Sequence, residues 1–181
     1  MRGILLAMVA MAMVGFAGLR ASEDGEEKVP LDKLPKAVSD AVTKRFPKAK
    51  MVSAATELED KVKVYEVTIE EGDVKTDVTL TPQGVLLGFE SSVAAKDLPK
   101  VITDAVASKY PQGKITLAET VTKVKAGKET MEYYEVIVAS GADTVEMQIF
   151  PDGKVKAEEK KPAEDKKGEK KGEKKEDKKG K

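Results

Sequence analysis

The sequence predicts an α+β protein of two tandem repeats, each one helix packed on a three- to four-stranded antiparallel sheet, the two sheets forming one continuous curved platform. Three observations predict it. Leu34-Pro35-Lys36, Asp40-Ala41-Val42 and Phe46-Pro47 return as Leu98-Pro99-Lys100, Asp104-Ala105-Val106 and Tyr110-Pro111, all at an offset of 64. Tyr65-Glu66-Val67, Gly72 and Pro82-Gln83-Gly84 return as Tyr134-Glu135-Val136, Gly141 and Pro151-Asp152-Gly153 at an offset of 69, so the second copy carries five extra residues in between. A repeat of this length marks a duplicated folding unit. Units of ~60 residues are small for independent domains, so sharing one sheet is the economical way for both to bury a core.

The elements follow in order. Leu34, Val38, Ala41, Val42 and Phe46 recur at helical spacing, as do Leu98, Ile102, Ala105, Val106 and Tyr110. Pro35 and Pro99 stand in the first turn, where a missing N–H is harmless. Pro47 and Pro111 end each helix, because the residue before proline avoids helical geometry. Strands are predicted at 51–57, 62–70, 74–81 and 85–90, then at 114–124, 131–139, 144–150 and 154–158. Glu71-Gly72-Asp73 and Ser140-Gly141-Ala142 are hairpin turns, and Pro82-Gln83-Gly84 and Pro151-Asp152-Gly153 suit type I turns. The insertion is expected around Ala126-Gly127-Lys128, lengthening a hairpin loop.

The ends are different in kind. Residues 1–21 read as an export signal: Arg2, an uncharged apolar stretch from Gly3 to Leu19, then small residues, with cleavage expected after Ala21 or Ala17. The rival reading is a retained anchor, but 17 residues with three glycines lie at the lower limit for spanning a bilayer, so no stable membrane insertion is expected after cleavage. Residues 22–30 read as a flexible lead-in, 31–92 and 95–157 as the repeats, and 158–181 as a disordered Lys/Glu/Gly tail. The implied location is the periplasm or the extracellular space.

Composition narrows the function. The chain has no Cys, His or Trp, which removes disulfides, the nucleophilic thiol and the commonest general base and metal ligand. Gly-x-Ser-x-Gly and Ser-x-x-Lys are absent from the body, as are phosphate-binding glycine loops. No enzyme activity, cofactor or metal site is assigned. Residues 22–157 carry 19 basic and 24 acidic side chains, which speaks against nucleic acid as a partner.

Helix, Leu-Pro at its start, aromatic-Pro at its end, then Tyr-Glu-Val and a closing Pro-Asp-Gly, most complete in Asp97-Leu98-Pro99, Tyr110-Pro111, Tyr133-Tyr134-Glu135-Val136 and Phe150-Pro151-Asp152-Gly153, resembles the PepSY-like domain. That family's fold is similar to the beta-lactamase inhibitory protein. The first copy departs from it at Val64 and Thr81, where the second has Tyr133 and Phe150. The resemblance implies an exported, non-catalytic module that binds or restrains another exported or envelope protein, in the manner of a peptidase inhibitor or regulator.

Strand alternation assigns the candidate residues. Tyr65, Val67, Ile69 and their second-copy equivalents face the helices; the opposite face is left to solvent or a partner. On it, Val64, Tyr133, Ile137 and Phe150 are the candidate partner contacts, since aromatic anchors dominate interface energetics. Glu66, Asp77, Glu135 and Glu146 are the candidate polar or cation contacts, the alternative function being an envelope protein that binds a small ligand or cation. A solvated acidic face is the simpler account of these four.

Overall fold

Two ten-residue helices, α1 (Lys36–Arg45) and α2 (Lys100–Lys109), form where the apolar spacing places them in the computed structural model, which describes residues 26–59 and 62–162. Pro35 and Pro99 are the N-caps, one position before the first helical residue. Phe46 and Tyr110 leave helical geometry at φ −125° and −129°, ahead of the prolines, and their N–H groups still bond the Val42 and Val106 carbonyls at 2.8 Å. The solvent side of each helix carries the same i,i+4 ion pair, Lys36–Asp40 and Lys100–Asp104, both at 2.6 Å; with lysine ahead of the acid, each contributes only about 0.2 kcal/mol.

Among the described residues, nine strands form one antiparallel sheet in sequence order. They are β1 (Glu27–Lys28), β2 (Lys50–Glu59), β3 (Val62–Glu71), β4 (Val74–Leu80), β5 (Leu86–Ser92), β6 (Lys114–Lys125), β7 (Lys128–Ser140), β8 (Asp143–Ile149) and β9 (Val155–Pro162). The predicted α+β platform of two helix-backed units is thus a single open sheet. α1 buries Val38 and Val42 against Ala54, Val67, Ile69, Val78 and Leu80. α2 buries Ile102 and Val106 against Ala118, Val136, Val138, Val145, Met147 and Ile149. Both cores lie on one side of the sheet.

Three expectations are corrected. The lead-in is not wholly irregular: Glu27 and Lys28 pair with Thr56 and Ala55 as β1. The charged tail begins later than residue 158, because Glu158–Pro162 continue β9 along β8. The rest of the tail and the export signal lie outside the described residues. The five extra residues do not lengthen a loop. Ala126 and Gly127, at φ 51° and 75°, make a two-residue turn, and the Lys125↔Lys128 pair closes it. The insertion therefore extends β6 and β7, because positive φ at both turn positions matches the strand twist and lets the ladder run to the tip.

That longer hairpin reaches the first unit. Glu129 on β7 accepts two hydrogen bonds from Arg45 at the end of α1, at 2.7 and 2.9 Å. The Arg45 guanidinium also lies 4.7 Å from the Phe46 ring centroid and 5.5 Å from that of Phe89, and the two rings meet edge to face at 5.6 Å. In the second unit the equivalent positions hold Tyr110 and Glu158, which hydrogen-bond, and Lys109 pairs with the same carboxylate. The duplicated geometry persists while its chemistry changes from aromatic to ionic.

Candidate functional site

The helix-free face is shaped by bulges that repeat with the units. Val52 and Thr116 are extra residues in β2 and β6, while Leu87 and Lys156 are extra residues at the β4–β5 and β8–β9 pairings. Glu132 adds a fifth bulge, opposite the step from Val121 to Thr122. Bulges bend a strand and increase its twist, which crowds the side chains on one face.

Crowding changes the standing of the candidate partner contacts. Val64 is 1% exposed and Tyr133 is 3% exposed, so neither presents a free surface. The expectation that they point into solvent is corrected. Tyr133 pairs with Val121, itself buried, and the Lys156 ammonium sits 3.7 Å from its ring centroid. Burial, then the neighbouring carboxylates led by Glu135 and Glu90, holds the Tyr133 hydroxyl far above its ordinary pKa. Ile137 is half-buried, and Phe150 keeps 39% of its surface in solvent.

The four candidate carboxylates do not converge on one point. Asp77 on β4 accepts from Thr68 at 2.6 Å and pairs with Lys75 at 3.1 Å. Glu66 stands on β3 between Ala55 and Thr79. Burial, then Asp77, Glu57 and Glu26, pushes its carboxyl up to about 7. Glu146 on β8 faces Ile137 and Glu159 across its two ladders, and burial raises its carboxyl as well. Only Glu135 joins a close group, with two partners that sequence reasoning missed.

Those partners are Glu90 on β5 and Glu119 on β6, and one oxygen of each of the three carboxylates lies within 4.8 Å of the others. Glu119 and Glu135 are directly opposed across β6–β7; Glu90 pairs with Val121, two residues along the same face from Glu119. Glu119 is 6% exposed and Glu135 is 2% exposed. One oxygen each of Glu90, Glu119 and Glu135 is buried without a hydrogen-bond partner; the other Glu135 oxygen accepts from Gln148 at 3.5 Å. Like charges opposed across a ladder destabilise a sheet, and orphaned buried carboxylate oxygens are costly. Burial, then Glu135 and Glu119, raises Glu90 to about 8; burial, then Glu146 and Glu119, raises Glu135 to about 7. Glu119 is raised mainly by burial.

The group lies where the units join. Glu26, beside β1, stands 64 residues before Glu90, Ala55 stands 64 before Glu119, and Glu66 stands 69 before Glu135. The first unit thus repeats two of the three acids and replaces the middle one with Ala55.

One open antiparallel sheet, backed on one side by two helices and carrying acidic groups on its helix-free side, defines the architecture. The beta-lactamase-inhibitor-like, PepSY-like family model matches residues 22–88 and 89–157, and the chain belongs to that family. The boundary between the two matches falls inside β5, the strand that carries Glu90. Among solved structures, a DUF2874 family protein from Bacteroides uniformis is 17% identical, with a TM-score of 0.57 over 70% of this chain and 88% of that one. A protein from Bacteroides eggerthii, named as periplasmic, is 16% identical, with a TM-score of 0.57 over 70% and 88%. A BLIP-like protein from Bacteroides fragilis is 18% identical, with a TM-score of 0.54 over 74% and 90%. These likenesses establish the fold. No curated protein matches the chain. Among the described residues no helix is long and apolar enough to cross a membrane.

Proposed function

We propose that this chain is an exported, non-catalytic binding module that engages another exported or envelope protein through the helix-free face of its sheet. The observation that carries the reading is the acidic character of that face, on which the half-buried Glu66, Asp77, Glu90 and Glu146 stand with the buried Glu119 and Glu135. Glu66, Asp77 and Glu146 extend the acidic character across the sheet, against Lys75, Lys123 and Lys156. The face therefore suits a partner that presents basic groups. Ile137 and Phe150 are its accessible apolar contacts. The N-terminal signal pattern and the periplasmic naming of the Bacteroides eggerthii relative support export. The lack of His and Cys supports a role without nucleophilic chemistry.

A photo-crosslinking residue placed at Ile137, at Phe150 or at Lys44 on the exposed side of α1 tests this in intact envelopes. Capture of the same envelope protein from positions 137 and 150, but not from 44, supports the reading. Equal capture from all three positions, or none from 137 and 150, overturns it.

A further inference from the structure

Glu90, Glu119 and Glu135 bring three carboxylates to within 4.8 Å of one another, each with one buried oxygen that has no hydrogen-bond partner. The two lysines that most offset this charge are held elsewhere. Lys75 favours the ionised form of Glu119, yet its ammonium pairs with Asp77 at 3.1 Å. Lys156 favours that of Glu135, yet its ammonium sits over the Tyr133 ring and donates to Gln148 Oε1 at 3.1 Å. Glu119 and Glu135 are too deeply covered for the head group of a partner's lysine to reach both. A small ion has no such restriction.

We propose that Glu90, Glu119 and Glu135 form a site for one hard divalent cation, of calcium's size, at the seam between the two repeats. The placement of this site on the helix-free face rests on the reading of that face as the working surface. Three carboxylates and no softer donor select a hard cation. The three oxygens lie within 4.8 Å of one another, close enough to share one ion. A site this covered favours Ca2+ over Mg2+, which dehydrates reluctantly and demands near-ideal octahedral geometry. The ion would accept the oxygens that now lack partners and would tie β5 to β6 and β7, fixing the strand shared by both units. Its remaining coordination positions would be filled by water. The first unit has Ala55 in place of Glu119, so among the described residues it does not repeat the site.

Calorimetric titration of the chelator-treated full chain with Ca2+, and separately with Mg2+, tests the proposal. The expected result is one Ca2+ per chain, a raised melting temperature with calcium, and weaker Mg2+ binding. Glu119→Gln and Glu90→Gln each lose at least tenfold in calcium affinity, and Glu66→Gln and Glu146→Gln keep it. Melting in chelator separates lost binding from lost fold, since Glu119→Gln removes a buried charge and should melt no lower than the parent. Should Glu119→Gln fail to fold, the less buried Glu90→Gln decides alone. No heat and no melting shift at millimolar Ca2+, or undiminished binding in Glu90→Gln, overturns the site. Partner capture from positions 137 and 150 in chelator, with no calcium binding, would overturn the cation and leave the docking reading standing.

Discussion

Glu66→Gln isolates the electrostatic cost of the helix-free face at a residue outside the three-carboxylate group. Burial, then Asp77, Glu57 and Glu26, raises the Glu66 carboxyl from 4.5 to about 7. The folded chain therefore holds this proton while the unfolded chain releases it. Stability from the group is complete below pH 4.5 and is lost as the pH climbs through about 7. At 1.36 kcal/mol per pH unit, the part of that gap lying between pH 5 and 8 is worth about 2.5 kcal/mol, or about 2 kcal/mol after allowance for partial exposure. Gln keeps the shape and cannot ionise. Urea denaturation of both proteins in chelator, at pH 5 and at pH 8, should show Glu66→Gln gaining about 2 kcal/mol on the parent between the two values. Glu66 is also one of the charges that raise Glu90, so Glu66→Gln eases Glu90 in the same pH window and shifts the difference in the same direction. A stability difference that stays constant from pH 5 to 8, or one that favours the parent at pH 8, would refute the claim that this face holds strained carboxyls.

Two further predictions concern the scaffold. Gly84 and Gly153 close the matching turns at φ +76° and +85°; a Cβ on Gly84 would meet the Ala37 carbonyl oxygen at 2.2 Å, whereas one on Gly153 would first meet a Val101 methyl at 2.5 Å. Gly84→Ala should cost about 2–3 kcal/mol and Gly153→Ala about 1–2 kcal/mol in denaturant midpoints, since a methyl yields more readily than backbone. Arg45→Ala and Glu129→Ala break the bond between the extended hairpin and α1, and a double-mutant cycle should give a coupling of about 0.5–1 kcal/mol that shrinks in high salt, because both groups are substantially exposed.

Much of this architecture was written in local pattern. The Leu-Pro and aromatic-Pro brackets placed both helices, and the Gly and Pro-x-Gly turns placed the strands to within a few residues. β1 was illegible because Glu27 and Lys28 carry no apolar alternation; only the correspondence of Glu26 with Glu90, read back from the structure, explains the pairing. The three-carboxylate group was illegible for a different reason. Glu119 and Glu135 meet only because β6 and β7 pair in one register, and Glu90 joins them only because β5 runs on into the second unit. Register between strands set by bulges at Thr116 and Glu132 is a tertiary outcome. Burial of Val64 and Tyr133 escaped prediction similarly: alternation gives the face of a side chain, not how closely a twisted sheet crowds that face.

The most direct test of the central claim, that the seam between the repeats is the working site, is anomalous diffraction from crystals grown with Mn2+ as a stand-in for the proposed cation. The account predicts one strong peak per chain, bonded to oxygens of Glu90, Glu119 and Glu135, and none beside Ala55 in the first unit. A seam without a peak, with the three carboxyl groups hydrogen-bonded to one another or to Lys156, would contradict it.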